Sequence, residues 1–168
     1  MSKILVSPMV VRPTTRYRWE CWFQGRLLWA TEFDNLVTTV GKNKLLDMGF
    51  VTGSGGTPTW YVGLKGSGAP SSTDTMSSHA GWATLTPYSN STDPAFTGAT
   101  PGGGITDNSA AKATFNCNAD ADIFGCFMKN DATKGGTTGT LYGVGDATSS
   151  QHVINGSTLN VTVTLQLA

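Results

Sequence analysis

Along residues 159–167 every second side chain is aliphatic: Leu159, Val161, Val163, Leu165 and Leu167 alternate with Asn160, Thr162, Thr164 and Gln166. Only an extended backbone sends successive side chains to opposite faces, so this segment is a strand with its Leu and Val in a core. Residues 17–23 repeat the pattern, with Tyr17, Trp19, Cys21 and Phe23 on one face and Arg18, Glu20 and Trp22 on the other. Gln24-Gly25 follows, and residues 26–33 resume strand-like residues, which predicts a hairpin. Further strands are expected at residues 60–64, at 81–86 up to Pro87, briefly at 95–97, and at 137–144. Residues 112–117 and 123–129 read as a second hairpin turning on residues 118–122. About eight strands with turn signals between them point to an all-β domain, a β-sandwich of jelly-roll type.

Helical spacing occurs once. Leu36, Val37, Val40, Lys44 and the pair Leu45 and Met48 recur every three or four residues, so residues 34–49 predict a single short helix laid on an edge or end of the sheets. Asp34 is placed to cap its first turn and Gly49 to end its last. Gly41, in the middle, costs roughly 1 kcal/mol against alanine, so packing rather than propensity must hold this helix.

A chain of 168 residues suits one domain, and folding at this size removes about 70% of the extended chain's surface from water, enough for a core without staples. Charged residues make up 13% and the formal net charge is zero, well below the charge content of about 25% typical of soluble domains. Such a hydroxyl-rich, uncharged surface suits an extracellular or particle-bound β-domain. It argues against a nucleic-acid binder, which needs a basic face to displace counterions. Cys21, Cys117 and Cys126 are odd in number and sparse, which favours buried thiols over a disulfide framework; a Cys117–Cys126 pairing across a hairpin is the alternative.

Residues 1–16 carry Ile4, Leu5, Val6, Met9, Val10 and Val11, interrupted by Pro8 and closed by Arg12-Pro13. Proline excludes a helix and cannot donate to a central ladder, so this is an extended amino-terminal arm or an edge strand, with residues 17–168 as the β-sandwich domain. Its apolar run is too short for a signal-peptide core or a bilayer span, which points to a protein not exported by that route and not in a membrane. The six apolar residues need a partner surface, either their own domain or a neighbouring subunit.

Candidate chemistry is thin. Asn118, Asp120 and Asp122 alternate like calcium ligands, but no glycine follows at the required place and no bidentate glutamate closes the set, so a turn is the better reading. His79 and His152 have no second histidine or cysteine at ligand spacing, although Asp74 lies shortly before His79. No Gly-x-Ser-x-Gly elbow precedes a helix. The glycine runs at 53–56 and 134–138 lead into strands, not helices, and so do not cradle phosphate. Asn-x-Ser/Thr occurs at Asn90, Asn155 and Asn160, as chance allows in so Ser/Thr-rich a chain. No catalytic, metal or cofactor site is expected, and the chain is not read as an enzyme. Of five tryptophans, Trp19, Trp60 and Trp82 read as core, whereas Trp22, Trp29 or the long irregular stretch 88–108 are candidates for a glycan-binding face.

The segments at residues 34–43, 60–64, 74–82 and 134–142, in that order, resemble a group of small tailed-bacteriophage virion proteins. The similarity spans roughly residues 30–167, and its members range from capsid decoration (cement) proteins to unassigned structural proteins. The resemblance implies a protein on the capsid exterior of the virion, assembled in the host cytoplasm. Its partners would be the major capsid protein and sister copies in a homo-trimer or homo-dimer. The alternative is a tail or head-fibre component binding a host receptor or glycan. The arm before Tyr17 lies outside the similarity.

Overall fold

The structure, a computed structural model, describes residues 12–51 and 58–167. The described residues form the expected all-β sandwich of two antiparallel sheets with one short helix. In the first sheet, β1 (Pro13–Phe23) lies between β2 (Arg26–Asp34) and β11 (Thr158–Leu167). The far edge of β11 is shared end to end by β7 (Ile105–Asp107) and β8 (Ala113–Asn116). In the second sheet the order is β3 (Leu36–Val37), β10 (Leu141–Val153), β9 (Ala121–Lys129) and β4 (Trp60–Lys65). Here the outer edge of β4 is shared by β5 (Thr84–Leu85) and β6 (Ala95–Phe96).

The alternation in β1 and β11 does what its period demands. Trp19 stands opposite Val161 and Tyr17 opposite Val163, and all four are fully buried. Between the sheets they meet Val62, Leu64, Ile123, Cys126 and Met128. Trp19 also donates its indole N–H to Cys126 Sγ at 2.9 Å, joining the layers by a buried polar contact. The outer face of the same strands carries Arg16, Arg18, Glu20, Thr162 and Thr164, half-buried or exposed. At the end of β11 the expectation gives way: Leu165 is half-buried and Leu167 is 56% exposed.

Gln24 and Gly25 both adopt positive φ at the β1–β2 turn, a geometry whose twist matches that of the strands it joins. The β1 strand begins at Pro13, so residues 13–16 of the expected arm belong to the sheet, paired with residues 164–167.

Three expected boundaries move. The helix α1 runs Thr39–Phe50, capped by Thr38, whose hydroxyl accepts from the Gly41 N–H at 3.1 Å. Asp34 instead ends β2, Leu36 and Val37 form β3 against β10, and Gly49 lies inside the last turn. A threonine cap at Thr38 outcompetes the aspartate because Leu36 and Val37 gain ladder bonds in the sheet. The second expected hairpin does not form: β8 pairs with β11 in one sheet and β9 with β10 and β4 in the other, so residues 117–120 carry the chain between layers. A turn-rich link fits a crossing between sheets as well as a hairpin, and local sequence does not separate the two. Finally, β10 begins at Leu141 and runs nine residues beyond Val144, to Val153.

The second sheet is covered on both faces. Cys126 and Met128 face the core, while Phe127 between them packs with Leu141, Val144, Met76 and Trp82 beneath a layer of loop and Val40 of the helix. Two glycines make that layer fit. A Cβ on Gly63 would lie 2.1 Å from the Phe127 ring, so the ring rests on bare backbone. A Cβ on Gly41 would lie 2.1 Å from Tyr142 O, so only glycine lets the helix approach β10 this closely.

Candidate functional site

The six apolar arm residues Ile4, Leu5, Val6, Met9, Val10 and Val11 lie outside the described residues, but the point where the arm joins the domain is clear. Pro13 pairs with Leu167 at the end of β1 and β11, and Ile105 of β7 pairs with Gln166 beside them. Between this row and α1 runs a shallow groove of about 210 Å³, lined by Leu45, Pro101, Ile105, Tyr142, Leu165 and Leu167 among others. A second groove, touching Arg12, Pro13, Leu36 and Lys42, flanks α1 where the chain enters β1. The helix adds exposed apolar side chains of its own, with Leu46 57% and Phe50 85% in contact with solvent. At the β1–β2 hairpin Leu27 and Leu28 are also exposed.

The tryptophans proposed for a glycan face are not open platforms. Trp29 donates its indole N–H to His152 O at 2.8 Å and leans on Trp19, with ring centroids 6.1 Å apart. Trp22 is half-buried, and its indole nitrogen is sealed from water. Trp19, Trp60 and Trp82 are buried, as their neighbours suggested, although Trp82 follows a turn and precedes β5 rather than lying in a strand.

Asp74, His79 and Trp82 do come together, as a loop staple. Asp74 accepts the Trp82 indole N–H at 2.9 Å and the Ser71 N–H at 2.9 Å, while the His79 ring stacks on Trp82 with centroids 4.0 Å apart. This staple drops Met76, fully buried, onto the outer face of the second sheet. Asp120 and Asp122 point to separate partners, the Asn155 N–H at 2.7 Å and His152 Nδ1 at 2.8 Å. The glycine run at 53–56 lies outside the described residues.

Cys21, Cys117 and Cys126 are free and buried, Cys21 in β1, Cys126 in β9 and Cys117 just past β8. Burial pushes all three thiols above the usual range, which keeps them protonated and unreactive.

Buried charge is what local reading missed. Lys65 and Lys129 close strands β4 and β9 and are fully buried, as is Asp93 in the loop before β6. The Lys65 stem crosses Gly125 of β9 to reach Asp146 on β10, and its ammonium donates to Gly66 O at 3.0 Å and Gly68 O at 2.5 Å. Lys129 lies 3.1 Å from Asp93, whose other oxygen takes the Tyr88 hydroxyl. The available signal was a lysine directly following apolar strand residues, as in Val62-Gly63-Leu64-Lys65 and Phe127-Met128-Lys129.

Comparison with known proteins yields no matching family model, curated protein or solved structure.

Proposed function

We propose that the chain is a capsid decoration (cement) protein of a tailed bacteriophage, bound to the outside of the major capsid protein lattice and stabilising the head. The observation that carries the reading is where apolar surface stays exposed. Leu167 and Ile105 remain in solvent at the end of the sandwich, with Leu46 and Phe50 on the helix that flanks it, and an apolar amino-terminal arm enters at Pro13 beside Leu167. An isolated domain has little reason to leave a phenylalanine almost wholly in water, whereas a subunit that docks does. The resemblance to phage virion proteins at residues 34–43 includes the first turns of this helix. An extended arm of aliphatic residues and proline supplies register and backbone hydrogen bonds when it adds to a neighbouring sheet edge. Repetition over a symmetric lattice turns many weak contacts into firm retention, and capsid symmetry favours trimers or dimers of sister copies.

The receptor-binding alternative draws no support from Trp22 or Trp29, since the indole nitrogen of one is sealed and that of the other is tied to His152. Co-sedimentation of the purified chain with phage shells that lack it is the direct test. Saturable binding, weakened by deleting residues 1–12 and by Phe50→Ser, is expected. Failure to bind assembled shells would overturn the reading.

A further inference from the structure

Lys129 and Asp93 form a salt-bridge pair in which neither side chain reaches water: their exposures are 0% and 1%. Nζ lies 3.1 Å from Oδ2 of Asp93. Lys129 also donates to Thr133 O at 2.6 Å and to Gly136 O at 3.3 Å. On the other side, Tyr88 donates its hydroxyl to Asp93 Oδ1. Tyr88 is itself 1% exposed, and Lys134 Nζ sits 4.6 Å from its ring centre.

We propose that Lys129 and Asp93 condense spontaneously to an intramolecular amide, cross-linking β9 to the loop that precedes β6. The site first moves one proton from the ammonium to the carboxylate, since a low-dielectric interior favours the neutral pair over two desolvated charges. Burial holds the Asp93 carboxyl above the usual carboxylate range even with Lys129 beside it. Nζ then attacks Cγ, forming the N–C bond while the carbonyl electron pair moves onto Oδ1. The Tyr88 hydroxyl, already on Oδ1, stabilises that developing charge as an oxyanion-hole donor would. A proton from nitrogen passes to the hydroxyl oxygen Oδ2, the C–Oδ2 bond breaks, and one water leaves. The carbonyl reforms, and the remaining N–H still has Thr133 O or Gly136 O to bond. Nothing is oxidised or reduced, and no co-reactant is required. Holding Nζ 3.1 Å from Oδ2 in a site closed to water supplies the effective concentration that free amine and acid lack in water.

The molecule contains its own control. Lys65 is equally buried, but the Asp146 side chain it meets is 40% exposed, and Oδ1 accepts a hydrogen bond from Nζ. Solvent reaches that carboxylate, so this pair lacks the water-excluded setting of Lys129 and Asp93.

Intact-mass spectrometry of the purified, unmodified chain, followed by peptide mapping, tests the proposal. The expected result is a mass lower than the sequence mass by one water, with a branched peptide joining the segments that hold Asp93 and Lys129. Lys129→Arg and Asp93→Ala should both return to full mass. Asp93→Asn should close the same bond with loss of ammonia instead of water. A folded native chain at full sequence mass overturns the proposal, as does a water loss that maps elsewhere, including to Lys65 and Asp146. The decisive readout is on the native chain, so a variant that fails to fold leaves the answer intact.

Discussion

In β11 burial alternates residue by residue from Thr158 to Val163, whereas in β4 five of six residues are buried. Both strands are central in their sheets and both supply the same core, so the difference lies on their other face. The outer face of the first sheet meets water and is furnished with Thr162, Thr164 and charged pairs such as Arg18 with Glu32 at 2.9 Å. The outer face of the second meets Met76, Trp82 and the helix, and is furnished with glycine, Phe127 and buried lysine. A strand covered on one side declares itself by period two; a strand covered on both has no polar phase to show. The lesson is that the molecule has two apolar layers, and only one of them is written as alternation.

That contrast is sharpest at Phe127, which occupies a position that would face solvent in the first sheet. Phe127→Ala should cost about 3–5 kcal/mol in denaturant unfolding, as much as a truncation in the central core, because it empties the layer over Gly63. A loss under about 1 kcal/mol, typical of a surface change, would reduce the outer layer to a loosely draped loop.

Gly41→Ala is next in size and is notable for its sign. Helix propensity alone predicts a gain of about 1 kcal/mol. The new methyl would meet the Tyr142 carbonyl, and that backbone atom cannot swing aside, so a net loss of about 1–3 kcal/mol is expected from overpacking. A stabilised variant would mean that the helix is not pressed onto β10 as described.

On the first sheet the effects are smaller. Glu20 accepts from Lys112 Nζ at 2.7 Å and from Arg18 Nε at 3.1 Å, and the Lys112 bond is the main cause that holds its carboxyl below the ordinary value of 4.5. A folded-state pKa below the unfolded one contributes stability above the unfolded value and loses it as pH falls through the folded value. Lys112→Met should therefore cost less than about 1 kcal/mol at neutral pH, and the gap to the native chain should close as acid protonates Glu20 below that range. Stability curves at several pH values check both size and direction. Smallest of all is Thr162→Ala, expected within about 0.5 kcal/mol of the native chain.

Strands β1, β2 and β11 and the β1–β2 hairpin were legible because one face is wet and because Gln24-Gly25 favours the turn, whereas β7 lay hidden in the irregular stretch 88–108. The helix was legible in kind but displaced by several residues, since Leu36 and Val37 fit both a helical stripe and a strand, and only pairing with β10 decides between them. Which sheet receives β8 and β9 is a long-range matter: Phe115 pairs with Leu159 and Gly125 with Asp146, and no local pattern encodes either partner. The apolar residues at the entry of the arm were visible as a group that needed a partner. The groove at the end of β11 was not, because Leu45, Ile105 and Leu167 are far apart in sequence.

The central claim is that this two-layered sandwich is a lattice-binding plug whose exposed apolar end belongs to a shell. Quantitative mass spectrometry of purified virions, calibrated against the major capsid protein, tests it most directly. The account predicts a fixed ratio on the scale of the capsid lattice; a copy number on the scale of a single tail or fibre, or absence from the particle, contradicts it.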